Sequence, residues 1–183
     1  MLAEPRTIIT EEAFAAFLDR EENVDRRFEL LDGEIIEVPS NAFSSHIAGV
    51  LLAALLAYVR PRQLGYVTGE QGGYRVSGQT VAPDVAYISK ARQPELPHEG
   101  FVPIAPDLAV EVVSPSDKQK VIRRKLAAYA DAGTLVWLVY PLAGRIEVYP
   151  PDDLMTIKGM GDSLEGGDML PGFTLTLEEI FRA

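Results

Sequence analysis

Two acidic residues stand in the most apolar strand-like segments of the chain, and they constrain its fold more than any other feature. Asp84 opens the run DVAYI, and Glu111 lies inside the run LAVEVV. Burying a carboxylate among apolar side chains is costly unless it meets a cation or a hydrogen-bond donor. Two such carboxylates therefore predict a shared cation, and a divalent metal ion is the simplest candidate.

A lysine on the following helix is the third member of this group. In a strand from Asp107 to Val113, alternation places Glu111 on the same face as small and apolar side chains. The next helix is predicted from Ser116 to Ala132, and at about 100° per residue Lys125 falls near the middle of its apolar arc. A solvent-exposed lysine would lie on the other side of the helix. This position therefore predicts a buried partner for Lys125, either Glu111 or a ligand beside it.

These three residue types together are suited to metal-assisted hydrolysis of a phosphodiester. Mg²⁺ is often held by only one or two carboxylates, with water and substrate phosphate completing its shell. A neighbouring cation can stabilise the negative charge that develops on the phosphoryl group. We interpret Asp84 and Glu111 as candidate metal ligands and Lys125 as a candidate catalytic residue.

Composition limits the class of protein. With 183 residues and 47% hydrophobic residues, we expect a single domain over residues 1–183. The absence of cysteine excludes disulfides, thiolate zinc sites and a cysteine nucleophile, and it fits a reducing cytosol. The N-terminus has no apolar leader, and the longest apolar stretch, Ile47 to Val59, is shorter than a membrane span. We therefore expect a cytoplasmic protein that does not associate with membranes.

The charge balance limits the partners of the chain. A formal net charge of -10 argues against unaided, non-specific binding to nucleic acid, which depends on neutralising phosphates with Lys and Arg. The local exception is the basic segment 118–125, KQKVIRRK, directly after the Glu111 strand. This segment is either a solvated helix face or a surface that faces phosphate, and the charge distribution matters more than the total.

The remaining pattern predicts an α/β fold with a mixed sheet. Helices are expected at about 10–19, 43–59, 116–132 and 177–181, and strands at about 28–31, 34–38, 64–68, 74–76, 81–88, 107–113, 135–140 and 145–149, followed by further short strands. The 43–59 helix is apolar nearly all round, so we expect it to be buried against the sheet. Ser116 and Gln119 form a capping-box pattern at the start of their helix, and Gly133 is expected to end it. Pro39 is expected to end the first hairpin.

A set of motifs, taken in order, resembles the Uma2 family. They are FELLDGE at 28–34, His46 at the head of a helix, PDV at 83–85, PDLAVEVVSPSD at 106–117, Lys125, Tyr129, Gly133 and WLV at 137–139. Uma2 is a bacterial group of endonucleases with the PD-(D/E)XK restriction-endonuclease-like fold. The resemblance extends over about residues 28–149.

This resemblance implies an αβββαβ core over about residues 28–149, with an N-terminal helix and hairpin and extra C-terminal strands around it. It also implies a Mg²⁺ or Mn²⁺ site in which Asp84 is the first acid and Glu111 the second. The superfamily lysine usually stands two residues after the second acid, where this chain has Val113. The Uma2 pattern resembles one in which this lysine stands on the following helix instead. The lysine at that position in this chain is Lys125.

Three further residues are candidate accessory groups, each with a plainer alternative. Glu29 is an additional acid near the metal or a solvated hairpin glutamate. His46 is a catalytic base or, in keeping with its side of the helix, a core histidine. Lys118 shares the helix face of Lys125 and is the alternative catalytic lysine. Asp84 could also cap a turn and Glu111 could pair with a basic residue, with no metal involved.

The sequence leaves more than one function open. The first hypothesis is a Mg²⁺-dependent DNA endonuclease, for which a homodimer is plausible because cleaving a duplex requires two cuts. The second is a nuclease-fold binding or assembly module that does not cut, and the third is a metal-dependent phosphohydrolase that acts on RNA or nucleotides. The presence of all three residues, Asp84, Glu111 and Lys125, favours the first.

Overall fold

A computed structural model describes residues 8–24, 26–38 and 41–182. In chain order the elements are α1 (Glu11–Leu18), a short 3-10 helix (Glu21–Asn23), β1 (Phe28–Leu31), β2 (Glu34–Glu37), α2 (Ala42–Arg62), β3 (Gly65–Gly69), β4 (Tyr74–Val76), β5 (Gln79–Val81), β6 (Val85–Ser89), β7 (Leu108–Val112), α3 (Gln119–Asp131), β8 (Leu135–Tyr140), a second 3-10 helix (Pro141–Ala143), β9 (Arg145–Tyr149), β10 (Thr156–Lys158), β11 (Ser163–Gly166), β12 (Leu170–Thr176) and α4 (Leu177–Phe181). The expected mixed α/β architecture is confirmed. Pro39, the predicted end of the first hairpin, lies outside the described residues.

A six-stranded mixed sheet forms the centre of the fold. Its strand order is β10-β9-β8-β7-β6-β3, in which β7 and β8 are parallel and the other pairs are antiparallel. Parallel neighbours need a crossover connection, and α3 supplies it between β7 and β8. The order α2, β3, β6, β7, α3, β8 is the expected αβββαβ core, with β4 and β5 inserted before β6.

The two faces of the central sheet are covered by different elements, and β7 shows how the residues divide. Leu108, Val110 and Val112 face α2 and the C-terminal elements β11, β12 and α4. Ala109 and Glu111 alternate with them and point to the opposite face, where α3 and the smaller sheet β2-β1-β5-β4 pack. The predicted alternation of this strand is therefore confirmed.

Helix α2 lies against the sheet as expected, but only one of its faces is buried. Its buried residues form one face, Ile47, Ala48, Leu51, Leu55 and Val59. Other positions of the helix are exposed, including Phe43 at 49% and Leu56 at 38%. A helix rich in Ala and Leu has little amphipathic contrast, so composition alone overestimates how much of it is buried.

The same helix bears on the expectation about membranes. With 21 residues it is longer than the apolar stretch predicted from the sequence, and by length and composition alone it could cross a membrane. Such helices also occur in the cores of soluble proteins. The buried face of α2 packs into the main core cluster with residues of β6, β7 and β8, which is the arrangement of a core helix.

The predicted strand over 81–88 is in fact two strands in different sheets. The segment Ala82-Pro83-Asp84 separates β5 from β6 and carries the chain from the four-stranded sheet to the central one. Pro83 has no N–H to donate, so it does not fit inside a central strand. This break leaves Asp84 at the entry to β6.

The predicted capping box at the start of α3 is also wrong. The helix begins at Gln119, and its N-cap residue Lys118 makes no side-chain capping bond. The Ser116 hydroxyl is instead hydrogen-bonded to the Ser114 hydroxyl, and the Asp117 carboxylate accepts a bond from the Ser114 N–H at 2.7 Å. The tight turn after β7 thus uses the Ser116 side chain, which the capping pattern had assigned to the helix. The C-terminal end of α3 is as predicted, because Gly133 follows the helix with φ +71°.

Truncation of one buried side chain should show how much the α2 interface stabilises the fold. Leu51 is fully buried in the main core cluster, so Leu51→Ala should lower the free energy of unfolding by about 2–5 kcal/mol. Leu142 is 80% exposed, and Leu142→Ala should change it by less than about 0.5 kcal/mol. Urea denaturation of both variants measures the difference. Similar losses in the two variants would contradict the assignment of this core face.

Candidate active site

Asp84 and Glu111 meet at one end of the β6–β7 pair. The last register pair before them is Val85 with Val110, so one further step places Asp84 opposite Glu111 on the same face of the sheet. Directly opposed residues of antiparallel strands have Cβ atoms about 5 Å apart. The Asp84 carboxylate also accepts a hydrogen bond from the N–H of Val112 at 2.8 Å. These contacts hold Asp84 beside Glu111, although Asp84 precedes its strand.

Lys125 reaches this pair from α3. Its Nζ lies 2.5 Å from Glu111 Oε2 and 2.9 Å from Glu29 Oε1. Glu29 comes from β1 in the smaller sheet, is 2% exposed, and also accepts a bond from the Ala82 N–H at 3.0 Å. The structure thus places Glu29 beside Asp84, Glu111 and Lys125 and not on a solvated hairpin. We call these three acids and the lysine the acid cluster.

Two further side chains complete the cluster, and the sequence analysis did not identify either as a site residue. The Tyr129 hydroxyl donates to Glu111 Oε1 at 2.7 Å. Arg27 Nη2 lies 3.7 Å from Asp84 Oδ1, while Nη1 lies 3.0 Å from Glu70 Oε2. Tyr129 follows Lys125 by four residues on the same helix face, so helical spacing was a usable signal. Arg27 directly precedes β1, and no local pattern indicates its proximity to Asp84.

The other candidate accessory residues lie outside the cluster. His46 is exposed on α2 and does not line the cavity beside the cluster, so the expectation of a core histidine is wrong. Lys118 is exposed at the N-cap of α3 and lines that cavity. Among the residues that the structure describes, its ammonium group has no ion pair or hydrogen bond, so it does not share the position of Lys125.

The cluster opens into a cavity of about 950 Å³. The walls come from β1 and β2, the first turn of α2, the end of β7, and the segment from the turn after β7 into α3. Arg27, Glu29, Asp84, Glu111, Lys125 and Tyr129 all line this cavity. Buried titratable groups that converge on one cavity are a common feature of active sites.

Burial and charge shift the pKa values of these groups. Burial raises the pKa of Glu111 to about 8; Lys125 opposes the shift, while Glu29 and Asp84 add to it. The pKa of Asp84 is also raised by burial, against the hydrogen bond from Val112 and the charges of Lys125 and Arg27. For Lys125, burial alone would lower the pKa, but Glu111 and Glu29 raise it above its usual range. Lys125 is therefore a permanent cation near neutral pH.

The charges of the cluster leave room for a cation. Glu29, Asp84 and Glu111 carry three negative charges when ionised, and Lys125 and Arg27 carry two positive ones. Asp84 and Glu111 meet the minimum set for Mg²⁺, which often takes one or two carboxylates and keeps several waters. No group of three or more acidic, His or Cys side chains in the described part of the chain is arranged to hold a metal. A metal bound here would therefore have fewer than three such protein side chains as ligands.

The raised pKa of Glu111 should make the stability of the metal-free protein depend on pH. Folded Glu111 holds its proton more tightly than unfolded Glu111, so stability is greatest below the unfolded pKa and falls as pH rises toward about 8. Because only one proton is involved, the free energy of unfolding should fall by at most about 1.4 kcal/mol per pH unit. Urea denaturation between pH 5 and 8 should show a steeper loss for the native protein than for Glu111→Gln. Equal slopes would contradict an uptake of protons by Glu111.

Comparison with known proteins identifies the family. The Uma2 family, described as "Putative restriction endonuclease", matches residues 14–178. The chain belongs to the Uma2 family. The predicted resemblance is therefore confirmed, over a longer part of the chain than the motifs alone covered, and membership supports a nuclease that hydrolyses phosphodiester bonds.

A solved structure supports the fold. A crystal structure described as a "putative nuclease belonging to DUF820" from Anabaena variabilis superposes with a TM-score of 0.83 at 20% sequence identity, over 95% of this chain and 98% of that one. At this identity the similarity establishes the fold alone. No curated protein matches the chain.

Proposed function

We propose that the protein is a Mg²⁺-dependent DNA endonuclease in which Asp84 and Glu111 hold the metal and Lys125 is the catalytic cation. One observation carries the proposal: two acids face each other at one end of the β6–β7 pair, one of them is bonded to a buried lysine, and all three side chains line a cavity. Family membership supports the same class of reaction. Mn²⁺, which prefers similar oxygen ligands, is an alternative metal.

Each residue has a distinct part in the proposed reaction. A bound metal ion would activate a water molecule and withdraw charge from the phosphoryl oxygens. Glu111 is oriented by the Tyr129 hydroxyl and by Lys125, so its carboxylate is held facing the cavity. Because its pKa is raised, Lys125 remains protonated; it stabilises negative charge in the transition state and does not act as a general base. Glu29 holds Lys125 from the other side.

Plasmid cleavage tests the proposal directly. Purified protein is incubated with supercoiled DNA and Mg²⁺ or Mn²⁺, with a chelator control, and compared with Glu111→Ala. We expect nicked or linear DNA from the native protein only, and only with metal. Absence of cleavage under all these conditions, or equal cleavage by Glu111→Ala, would contradict the assigned site. A parallel RNA substrate tests the phosphohydrolase alternative.

A second candidate function is a nuclease-fold binding or assembly module that does not cut. It is favoured by the contacts of Glu111, whose two oxygens each already accept a bond, one from Lys125 and one from Tyr129. In this case Lys125 would replace the metal as the cation of the cluster. Calorimetric titration with Mg²⁺ and Mn²⁺ separates the two, because a non-cutting module of this kind should bind neither.

A homodimer belongs to the endonuclease proposal, since cleavage of both strands of a duplex needs two active sites or two successive events. Light scattering gives the mass in solution. A dimer should produce linear DNA early in the plasmid assay, whereas a monomer should accumulate nicked circles first.

A further inference from the structure

Two lysines on the cavity wall differ from the other cations there. Lys118 and Lys120 are exposed, line the cavity beside the acid cluster, and have no ion pair or side-chain hydrogen bond within residues 8–24, 26–38 and 41–182. The remaining cations of the wall are all paired: Arg27 with Glu70 and Asp84, Arg124 with Asp32 and Glu34, and Lys125 with Glu29 and Glu111.

The acid adjacent to these lysines in sequence is engaged elsewhere. Asp117 precedes Lys118 directly, but its carboxylate accepts the Ser114 N–H at 2.7 Å and closes the turn after β7. The ammonium groups of Lys118 and Lys120 are therefore left as free positive charges beside the cavity. In a chain with a net charge of -10, two such charges beside an acid cluster mark the side from which an anion can approach.

Spacing along the chain separates this pair from the proposed catalytic lysine. Lys118 precedes Lys125 by seven residues, a distance of roughly 10 Å along a helix axis. This separation of about two turns suits a phosphate next to the one that contacts Lys125, Asp84 and Glu111. Lys120 is exposed within the first turn of the helix and belongs to the same wall.

We propose that Lys118 and Lys120 bind the phosphate backbone of a nucleic acid next to the scissile phosphate, so that the strand enters the site along the first turn of α3. This inference rests on the proposed function for the identity of the ligand. It assigns the two lysines to substrate binding and not to the chemical step. Contacts of this kind act equally on the ground state and the transition state, so their loss raises KM and leaves kcat unchanged.

The test uses the double variant Lys118→Gln/Lys120→Gln and the control Arg123→Gln. Arg123 is exposed on the same helix but does not line the cavity, so it loses charge on α3 without losing the proposed contact. Binding of a fluorescein-labelled DNA duplex is measured by anisotropy in chelator between 50 and 200 mM salt. Each lost phosphate contact should reduce the slope of log K against log salt by about 0.9, hence about 1.8 in the double variant. The control should keep the native slope.

The outcomes separate this inference from the proposed function. A native slope in the double variant, an equal reduction in Arg123→Gln, or no measurable binding of DNA by the native protein would overturn the inference. Lysine-dependent binding by a protein that never cuts would support it and contradict the endonuclease. Cleavage with unchanged KM in the double variant would support the endonuclease and contradict the role of the two lysines. Melting temperatures confirm that these exposed substitutions leave the fold intact.

Discussion

Lys125→Met should reduce the rate of DNA cleavage by about 10²–10³, the cost of removing one electrostatic stabiliser from a transition state, or about 3–4 kcal/mol. Methionine keeps most of the apolar stem, which lies in the buried arc of α3, and removes only the charge. We expect the loss in kcat at saturating DNA, with metal binding retained. Single-turnover cleavage and metal titration measure the two effects separately.

The contacts of Lys125 show that this substitution also affects stability. Its ammonium group pairs with both Glu29 and Glu111, and removing one partner from a buried ion pair typically costs about 3–5 kcal/mol. From the sequence alone we would expect Lys125→Met to be stable, because helix phasing gives the position of Lys125 but not its second buried acid. The loss should be smaller below about pH 8, where Glu111 is protonated, than above it.

A double variant separates catalysis from folding. In Glu29→Gln/Lys125→Met a neutral amide replaces the Glu29 carboxylate, so no uncompensated charge is buried at this position. The double variant should therefore recover part of the stability lost in Lys125→Met, while cleavage stays low. Recovery of cleavage along with stability would show that Lys125 has only a structural role. Lys118→Met serves as the comparison, because it should raise KM and keep kcat. If Lys118→Met lost kcat and Lys125→Met did not, the catalytic lysine would be Lys118; normal cleavage by both would contradict the whole assignment.

Much of the fold could be predicted because local patterns were unambiguous. The strands Leu135–Tyr140 and Arg145–Tyr149 were predicted to the residue. The first is a continuous apolar run that follows Gly133, and the second begins directly after the turn at Gly144 and ends before Pro150. The position of Lys125 near Glu111 followed from two regular periods, 2.0 in the strand and 3.6 in the helix. These features depend on residues close together in the chain.

The parts that could not be predicted depend on contacts between distant segments. Glu29 meets Lys125 across 96 residues, and Arg27 reaches Asp84 from the other sheet, so neither contact has a local signal. The start of α3 was wrong for a related reason: Ser116 and Gln119 match a capping pattern, but Ser116 contributes to the turn after β7 instead. The same residue types favour caps and turns equally, and tertiary context decides between them.

Asp84→Asn should abolish metal binding and reduce cleavage below detection. Asparagine has nearly the same shape and can still accept the hydrogen bond from the Val112 N–H, so the entry to β6 should be retained. The substitution removes one of two carboxylate ligands, and a single carboxylate leaves almost the whole Mg²⁺ shell to water. Calorimetric titration with Mg²⁺, or water relaxation with Mn²⁺, should therefore lose its signal, together with the several kcal/mol that the metal contributes to phosphodiester cleavage.

Asp107 provides a matched control for this prediction. It lies at the other end of the β6–β7 pair, is 16% exposed where Asp84 is 21%, and likewise accepts a backbone N–H, that of Ser89 at 2.7 Å. Its ion pair is with Arg92, outside the acid cluster. Asp107→Asn thus makes the same chemical change in a similar backbone setting, and it should leave metal binding and cleavage unchanged. Equal metal binding by Asp84→Asn and Asp107→Asn would contradict the metal site, whereas equal loss in both would show that the β6–β7 pair needs these carboxylates for its structure.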